Sequence, residues 1–439
     1  MRLRHIKILT IIFYTFTLTP TCTHAQNDTL YLSIQQLFER IPHQHLQLAA
    51  DKIKEQIAAE QVKTANAKRL PEIVTGLHGS YLGQPVVWKN GLNNATHPQS
   101  PHWQQNYSID FNQPLYQGGK IKYTIRQSKL QQEIARLQTQ ADESDIKLTL
   151  LEQYLNLFTL YKQQFVLYRN IKESEQRLKD IRRMKDEGII TNNDVLRSEM
   201  QLTNNRLAMT ETENNIRIIS QQLDILLGFN EDLLLMPDTT LLNQNYTTVR
   251  YADYINRAYQ SNSSIRLLYK QTELAENNIN LTRSELYPNI YLTASNTLAR
   301  PVSRTLADMY NNNWNIGLSF SYPLSALYHN KHRIEEAKQN VLLIRNAEAQ
   351  EQQNIRMAIN TALLKYKEAK ERVESLKLSV KQAEENYRIM HNRYMNQLAI
   401  LTDLLDADNL RLNAELQLTT ARTQVVYSYY ELQQAIGSL

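Results

Sequence analysis

The chain repeats itself. Pro114-Leu115 recurs as Pro323-Leu324, Asp194-Val195-Leu196 as Asp403-Leu404-Leu405, and Gly228 as Gly437, each pair 209 residues apart with no gap over 114 positions. Upstream, Leu48 matches Ile265, Ala58 matches Ala275 and Pro71-Glu72-Ile73 matches Pro288-Asn289-Ile290, all at 217. The first copy is therefore eight residues longer between Pro71 and Pro114 than the second is between Pro288 and Pro323. That excess falls within Gln84 to Gln104, where Lys89-Asn90-Gly91 and Asn93-Asn94 are turn-forming residues. A duplication of this period makes each copy one structural unit.

Within a copy two patterns alternate. From Ala362 the residues Tyr366, Ala369, Val373, Leu376, Val380, Ala383, Tyr387, Met390 and Tyr394 follow at spacings of four and three, which is a heptad seam. The first copy has Leu130, Ile134, Leu137, Leu148, Leu151, Leu155 and Phe158 on its counterpart. With only 10 Gly and 11 Pro in 439 residues, and neither type between Asn330 and Gly437, little interrupts these helices. The spacing predicts antiparallel helical hairpins over about 120–227 and about 330–436, turning near Gly188 and Gln397. The second pattern has period two. Asn106 to Asn112 carries apolar residues at every odd position and Trp314 to Tyr322 at every even one. Strand hairpins are expected over about 72–115 and about 289–324.

An antiparallel sheet packed on a helix in a soluble domain gives the same alternation. Two considerations favour lipid. Each strand has roughly the 9–11 residues of a tilted membrane strand, with an aromatic-rich face opposite a small polar one. Four strands also leave sheet edges open, which lipid does not tolerate, so several copies are needed to close the sheet and to bury the hairpin seams.

Residues 1–25 read as a secretory signal peptide: Arg2, Arg4 and Lys7, then apolar Ile8 to Leu18, then Thr23-His24-Ala25. Cys22, the one cysteine, could otherwise carry a lipid, but Thr19 and Thr21 fit that signal poorly. One cysteine excludes a disulfide scaffold. Without the leader the chain has 46 basic and 44 acidic residues and no Lys/Arg cluster, so no nucleic-acid partner is expected. The domain reading is 1–25 leader, 26–228 first repeat, 229–250 linker and 251–439 second repeat. His43-Gln44-His45 has the wrong spacing for one helix face and no companion ligands. No phosphate loop, G-x-S-x-G or HExxH occurs, so neither an enzyme, a metal site nor a cofactor is expected.

At this point the chain resembles the TolC-like outer membrane efflux proteins over nearly all of its length after the leader. The residues that carry the resemblance are Pro114-Leu115-Tyr116-Gln117-Gly118-Gly119-Lys120 at a strand-to-helix junction, Gly188 with Asp194-Val195-Leu196 at one tip, and Asp403-Leu404-Leu405-Asp406-Ala407 at the other. Leu327-Tyr328 and Gln397 stand where the first copy has Gly118-Gly119 and Gly188. The resemblance implies a mainly α fold with a small β part, trimerising into a twelve-strand β-barrel in the outer membrane continued by a helical tunnel into the periplasm. It implies a passive exit duct of a tripartite efflux or type I secretion system, working with a periplasmic adaptor (membrane fusion) protein and an inner-membrane transporter. The alternative is a periplasmic coiled-coil adaptor or scaffold, which usually has one hairpin where this chain has two.

Asp403 and Asp406 lie on one face at a helix start. Capping explains Asp403, since Asp194 is its repeat counterpart, but the counterpart of Asp406 is Arg197. In the resembling family the matching aspartates ring the tunnel constriction, a placement that attracts cations. Asp194 and Tyr394 match family positions that hydrogen-bond between hairpins to hold the entrance shut, whereas Ala399 replaces the family's cationic partner. The adaptor-docking tips are expected at Gly188, Ile189, Ile190, Thr191 and Asn192, and at Gln397, Leu398, Ala399, Ile400 and Leu401.

Overall fold

The computed structural model describes residues 29–238, 249–300 and 308–439. The leader 1–25 and residues 239–248 of the linker lie outside the described residues. In chain order the elements are β1 (Thr29–Leu32), α1 (Ile34–Gln44), α2 (Leu46–Ala67), β2 (Glu72–Tyr81), β3 (Val87–Asn90), β4 (Asn93–Thr96), β5 (Trp103–Gln117), α3 (Lys120–Asp186), α4 (Asn192–Leu227) and β6 (Leu234–Pro237). The second half has α5 (Tyr251–Ser261), α6 (Ser263–Ser284), β7 (Asn289–Arg300), β8 (Asn311–Ser321), α7 (Ala326–Met395) and α8 (Leu401–Ala435).

Helices α3 and α7 have 67 and 70 residues, about 100 Å each at 1.5 Å per residue. Along α7 the seam residues Ala362, Tyr366, Ala369, Val373 and Tyr394 are buried, and Leu376, Val380, Ala383, Tyr387 and Met390 are half-buried. The returning helix offers small residues in step: Ala407, Ala414, Ala421 and Ser428, seven apart, are all buried on α8. A stripe of small residues at heptad spacing lets the backbones of packed helices approach.

Both hairpin turns are closed the same way. After α3, Gly188 has φ 75°, its N–H donates to the Lys185 carbonyl and that of Ile189 to the Met184 carbonyl, both at 2.9 Å. After α7, Gln397 has φ 58°, with its N–H on Tyr394 and that of Leu398 on Arg393, at 2.9 and 2.8 Å. The loss of glycine therefore leaves the Schellman geometry unchanged and adds strain, because a left-handed conformation is unfavourable for a side chain. Gln397→Gly is expected to stabilise the chain by about 1 kcal/mol; the midpoint of thermal unfolding checks it, and a lower midpoint contradicts it.

The resemblance implies a sheet closed, through trimerisation, into a twelve-strand barrel. The structure corrects this: the described residues form an open four-stranded antiparallel sheet in the order β2-β5-β7-β8, with no closed barrel. The reason is geometric. A sheet of four strands twists but cannot bring β8 round to pair with β2, so both remain edges. The two hairpins, β2/β5 and β7/β8, are joined by β5 and β7, with a register shift between Pro114 and Tyr116. One row across the sheet is Ile73, Phe111, Ala294 and Ile316, and the neighbouring row on the opposite face is Glu72, Asn112, Thr293 and Gly317. One face is thus apolar and the other small and polar. Among the described residues no helix is long and apolar enough to cross a membrane.

Three further features depart from the sequence reading. The loop that holds the eight extra residues of the first copy carries the small β3/β4 hairpin, turning at Gly91 with φ 63°. Helix α7 begins at Ala326, four residues earlier than predicted, because Leu327-Tyr328 continue a helix where Gly118 and Gly119, at φ 60° and 86°, make a turn. Between the sheet and the tips, β1 pairs in parallel with β6. The hydroxyl of fully buried Tyr154 pins that pair, donating to the Leu32 carbonyl at 2.7 Å and accepting the Asp238 N–H at 3.0 Å. Leu37, Ile41, Leu151, Leu157, Leu223 and Leu227 pack around it as the largest core cluster.

Candidate functional site

The two hairpin tips lie together. Leu178, Ile181, Val195 and Leu202 of α3 and α4 share one apolar cluster with Tyr394, Leu401 and Leu404 from the second hairpin. A hydrogen bond from the Arg197 guanidinium to the Thr402 hydroxyl, 2.7 Å, joins α4 to α8 at the same level. Beyond this cluster the tip side chains project: Ile189, Leu398 and Ile400 are 42%, 68% and 66% exposed. Gly188, Thr191, Asn192 and Gln397 are exposed, Ile190 and Ala399 half-buried, and Leu401 buried. Uncovered aliphatic side chains at the end of a solvated coiled coil are what a docking surface offers a partner.

The carboxylates divide into two kinds. Asp194 is spent within its own turn: its Oδ2 accepts from the Thr191 N–H at 3.1 Å and from the Thr191 hydroxyl at 2.9 Å, half of a capping box at the start of α4. In the second copy Ile400 stands at the Thr191 position and makes no side-chain cap. Among the described residues Asp403 and Asp406 have no hydrogen bond or ion pair, and both are exposed on the first two turns of α8. The shared capping role suggested by the repeat therefore holds for Asp194 alone. The positive end of the α8 dipole still favours both charges.

Tyr394 is 4% exposed and its hydroxyl has no hydrogen-bond partner among the described residues. Burial, reinforced by the charge of nearby Asp194 and opposed by Arg177, pushes that hydroxyl's pKa up. Asp194 and Tyr394 are thus brought close, but the carboxylate is occupied by Thr191 and no hydrogen bond joins the two.

A second constellation escaped the sequence reading. Helices α3 and α8 meet at Asp408, whose side chain is 3% exposed and pairs with the equally buried Arg177 at 2.5 Å. Arg411 adds a bond at 3.0 Å and Asn170 one at 3.1 Å. Asp408 follows Asp406 by only two residues, so it faces the opposite side of α8, into the junction with α3. The signal that could have found it is Asp408 and Arg411 at i,i+3 beside the small-residue stripe of α8.

A sequence profile of the family described as "Outer membrane efflux protein" matches residues 37–229 and 254–438. The chain belongs to that family. Its two matched blocks correspond to the two repeats. Among curated proteins none matches by sequence. Solved structures share the fold at low identity. VceC from Vibrio cholerae is 17% identical over 92% of this chain and 96% of its own, with a TM-score of 0.76. CusC is 15% identical over 92% of each chain at 0.79, and the Campylobacter jejuni CmeC channel 17% identical over 92% of this chain and 85% of its own at 0.74. As a family member the chain is an outer-membrane channel component of a tripartite export system, facing the periplasm, and it conducts without catalysing. Channels of this type work with a periplasmic adaptor and an inner-membrane transporter.

Proposed function

We propose that three copies of this chain form one duct whose periplasmic entrance is ringed by Asp403 and Asp406. The observation that carries the reading is the pair of unpartnered, exposed carboxylates at the tip of one hairpin, beside a counterpart hairpin whose carboxylate is committed to capping. A second copy is called for by the uncovered faces of α4 and α7. Leu196, Met200, Leu207, Ile218 and Ile225 are exposed on α4, and Leu343, Met357, Leu364 and Leu378 on α7, the last four separated by multiples of seven. Heptad spacing on a face with no partner in the chain fits a seam between copies. The apolar face of the sheet, with Trp314, Ile316, Leu318 and Phe320 all about 70% exposed, fits outer membrane lipid.

The tips, at Gly188 to Asn192 and at Gln397 to Leu401, then meet the adaptor through Ile189, Leu398 and Ile400. Asp194 and Tyr394 come close where the two hairpins of one chain touch, and the buried Tyr394 hydroxyl would meet a new partner only when the tips rearrange. Energy comes from the transporter, and the duct contributes the path. Ionised carboxylates from three copies at a constriction favour cations and give a trivalent cation several ligands at once. Asp403→Ala/Asp406→Ala is expected to abolish block by a trivalent cation added at the tip side and to lower cation selectivity in planar-bilayer recordings. Unchanged block and selectivity would overturn the ring.

A further inference from the structure

The helices that leave the sheet carry charge differently on its two sides. On the polar side Lys120 and Thr124 of α3 line a recess with Glu72, Asn112 and Tyr291. The same stripe runs down α3 through Gln127 and Gln131, which share a second recess with Asn278 of α6 and Asn340 of α7. At about 100° per residue, Lys122 and Arg126 lie about 200° and 240° round α3 from Lys120. By the same count Lys331 lies about 180° round α7 from Asn340, and Arg283 about 140° round α6 from Asn278. All four are therefore on the side of the apolar sheet face. Arg69, just past α2, joins them: its carbonyl accepts the Gln113 side-chain amide at 3.0 Å, and Gln113 stands in a row with Leu292 and Leu318.

These five side chains are exposed, and among the described residues none has an ion pair. The carboxylates nearby are engaged or turned away. Glu60, Glu276, Glu285 and Glu335 pair with Lys63, Arg345, Arg333 and Lys338. Glu72 is in the polar row, and Glu336 lies about 140° round α7 from Lys331. The excess of positive charge is repeated, since Lys122 and Lys331 are 209 residues apart and occupy the same turn of the two long helices. Between the cations and the strand ends the surface is apolar: Leu115, Tyr116, Tyr287, Leu324 and Leu327 are 44–65% exposed. Apolar sheet face, then tyrosine and leucine, then lysine and arginine is the order of groups that suits a passage from hydrocarbon to headgroups.

We propose that Arg69, Lys122, Arg126, Arg283 and Lys331 form a collar that binds anionic phospholipid headgroups in the periplasmic leaflet of the outer membrane. The proposal rests on the reading of the apolar sheet face as lipid-facing. The helices depart from this end of the sheet into the periplasm, so the leaflet in reach is the periplasmic one. Long lysine and arginine stems lie along the apolar surface while their charged ends meet the phosphates, and a guanidinium offers a phosphate two parallel N–H donors. A collar with no carboxylate among its members selects headgroups of net negative charge over zwitterionic ones.

The test compares two lipids on the purified full chain. Protein reconstituted in vesicles of four parts phosphatidylcholine and one part phosphatidylglycerol is re-extracted in mild detergent, and the lipids that stay bound are counted by mass spectrometry. The parent is expected to retain phosphatidylglycerol enriched about threefold or more over its share in the vesicles, with the enrichment falling as potassium chloride is raised. The salt series tests the attraction without any substitution. Lys122→Gln/Arg126→Gln/Lys331→Gln is expected to lose most of the enrichment. Lys179→Gln/Arg183→Gln/Lys185→Gln, which removes equal charge near the hairpin tip, is expected to keep it. A parent that holds the two lipids in the vesicle ratio, an enrichment indifferent to salt, or a collar variant as enriched as the parent overturns the proposal. A parent that neither enters the vesicles nor retains either lipid overturns instead the reading of the sheet face as lipid-facing.

Discussion

Asp408→Ala is expected to cost about 3–5 kcal/mol of stability, because it leaves two guanidinium groups inside the hairpin junction without their carboxylate. Arg177 is 3% exposed and Arg411 8%. Arg411 keeps Glu173, but Arg177 keeps only neutral oxygens, those of Ser174 and Tyr387. The penalty is that of an uncompensated buried charge and not the net worth of the pair, so removing both partners is expected to cost much less. Arg177→Met/Asp408→Leu should recover most of the loss, to within about 1–2 kcal/mol of the parent. Denaturant midpoints of the detergent-solubilised protein check this. A double variant as unstable as the single one would mean that the ionic contact is itself the source of stability.

Asp224→Asn is expected to stabilise the protein at neutral and alkaline pH and to leave it unchanged in acid. Asp224 is fully buried on α4 beside Leu223 and Leu227, and among the described residues neither carboxylate oxygen has a partner. Burial alone pushes its carboxyl up to about 6, from 3.8. The folded state therefore holds the proton more tightly than the unfolded chain does. Below about pH 4 both states are protonated and nothing is lost. Between about pH 4 and 6 the unfolded chain ionises first and stability falls, and above that the fold carries a buried, unpaired carboxylate at a cost of roughly 2–3 kcal/mol. Asparagine resembles the protonated acid, so the variant's thermal midpoint should exceed the parent's at pH 8 and coincide with it near pH 3.5. A gap that is the same at both values would rule out titration of Asp224 as its cause.

Long elements with unbroken periodicity were legible from the sequence. The seam Ala362 to Tyr394 and the alternation in Trp314 to Tyr322 each extend over many residues, so tertiary context has little room to override them. The turn at Gln397 could be placed from the repeat although its glycine is missing. What was illegible lies where polar residues occupy buried positions. A search for apolar periodicity passes over Ser198, Asn205 and Thr212, seven apart and all buried on α4, and over Asp408 and Arg411, whose burial depends on partners from α3 more than 200 residues away. The short parallel pair β1/β6 was missed for a similar reason, since four residues carry no period and the two strands are distant in the chain. The four strands and their open edges were legible, but the closed twelve-strand barrel that the resemblance implied was not found, since strand patterns report faces and carry no information on closure. At the candidate site the residues Asp403 and Asp406 were readable as a pair, while the unequal duties of Asp194 and Asp403 depend on whether residue 191 or residue 400 has a hydroxyl.

The central claim, that this chain builds a duct with an acidic periplasmic entrance, is met most directly by recording the purified, unsubstituted protein in a planar bilayer with a salt gradient. The account predicts discrete conductance steps, a reversal potential on the cation-selective side, and block by a trivalent cation from the tip-facing side only. Protein that inserts as an assembled complex yet stays silent, or that passes anions as readily as cations, contradicts it.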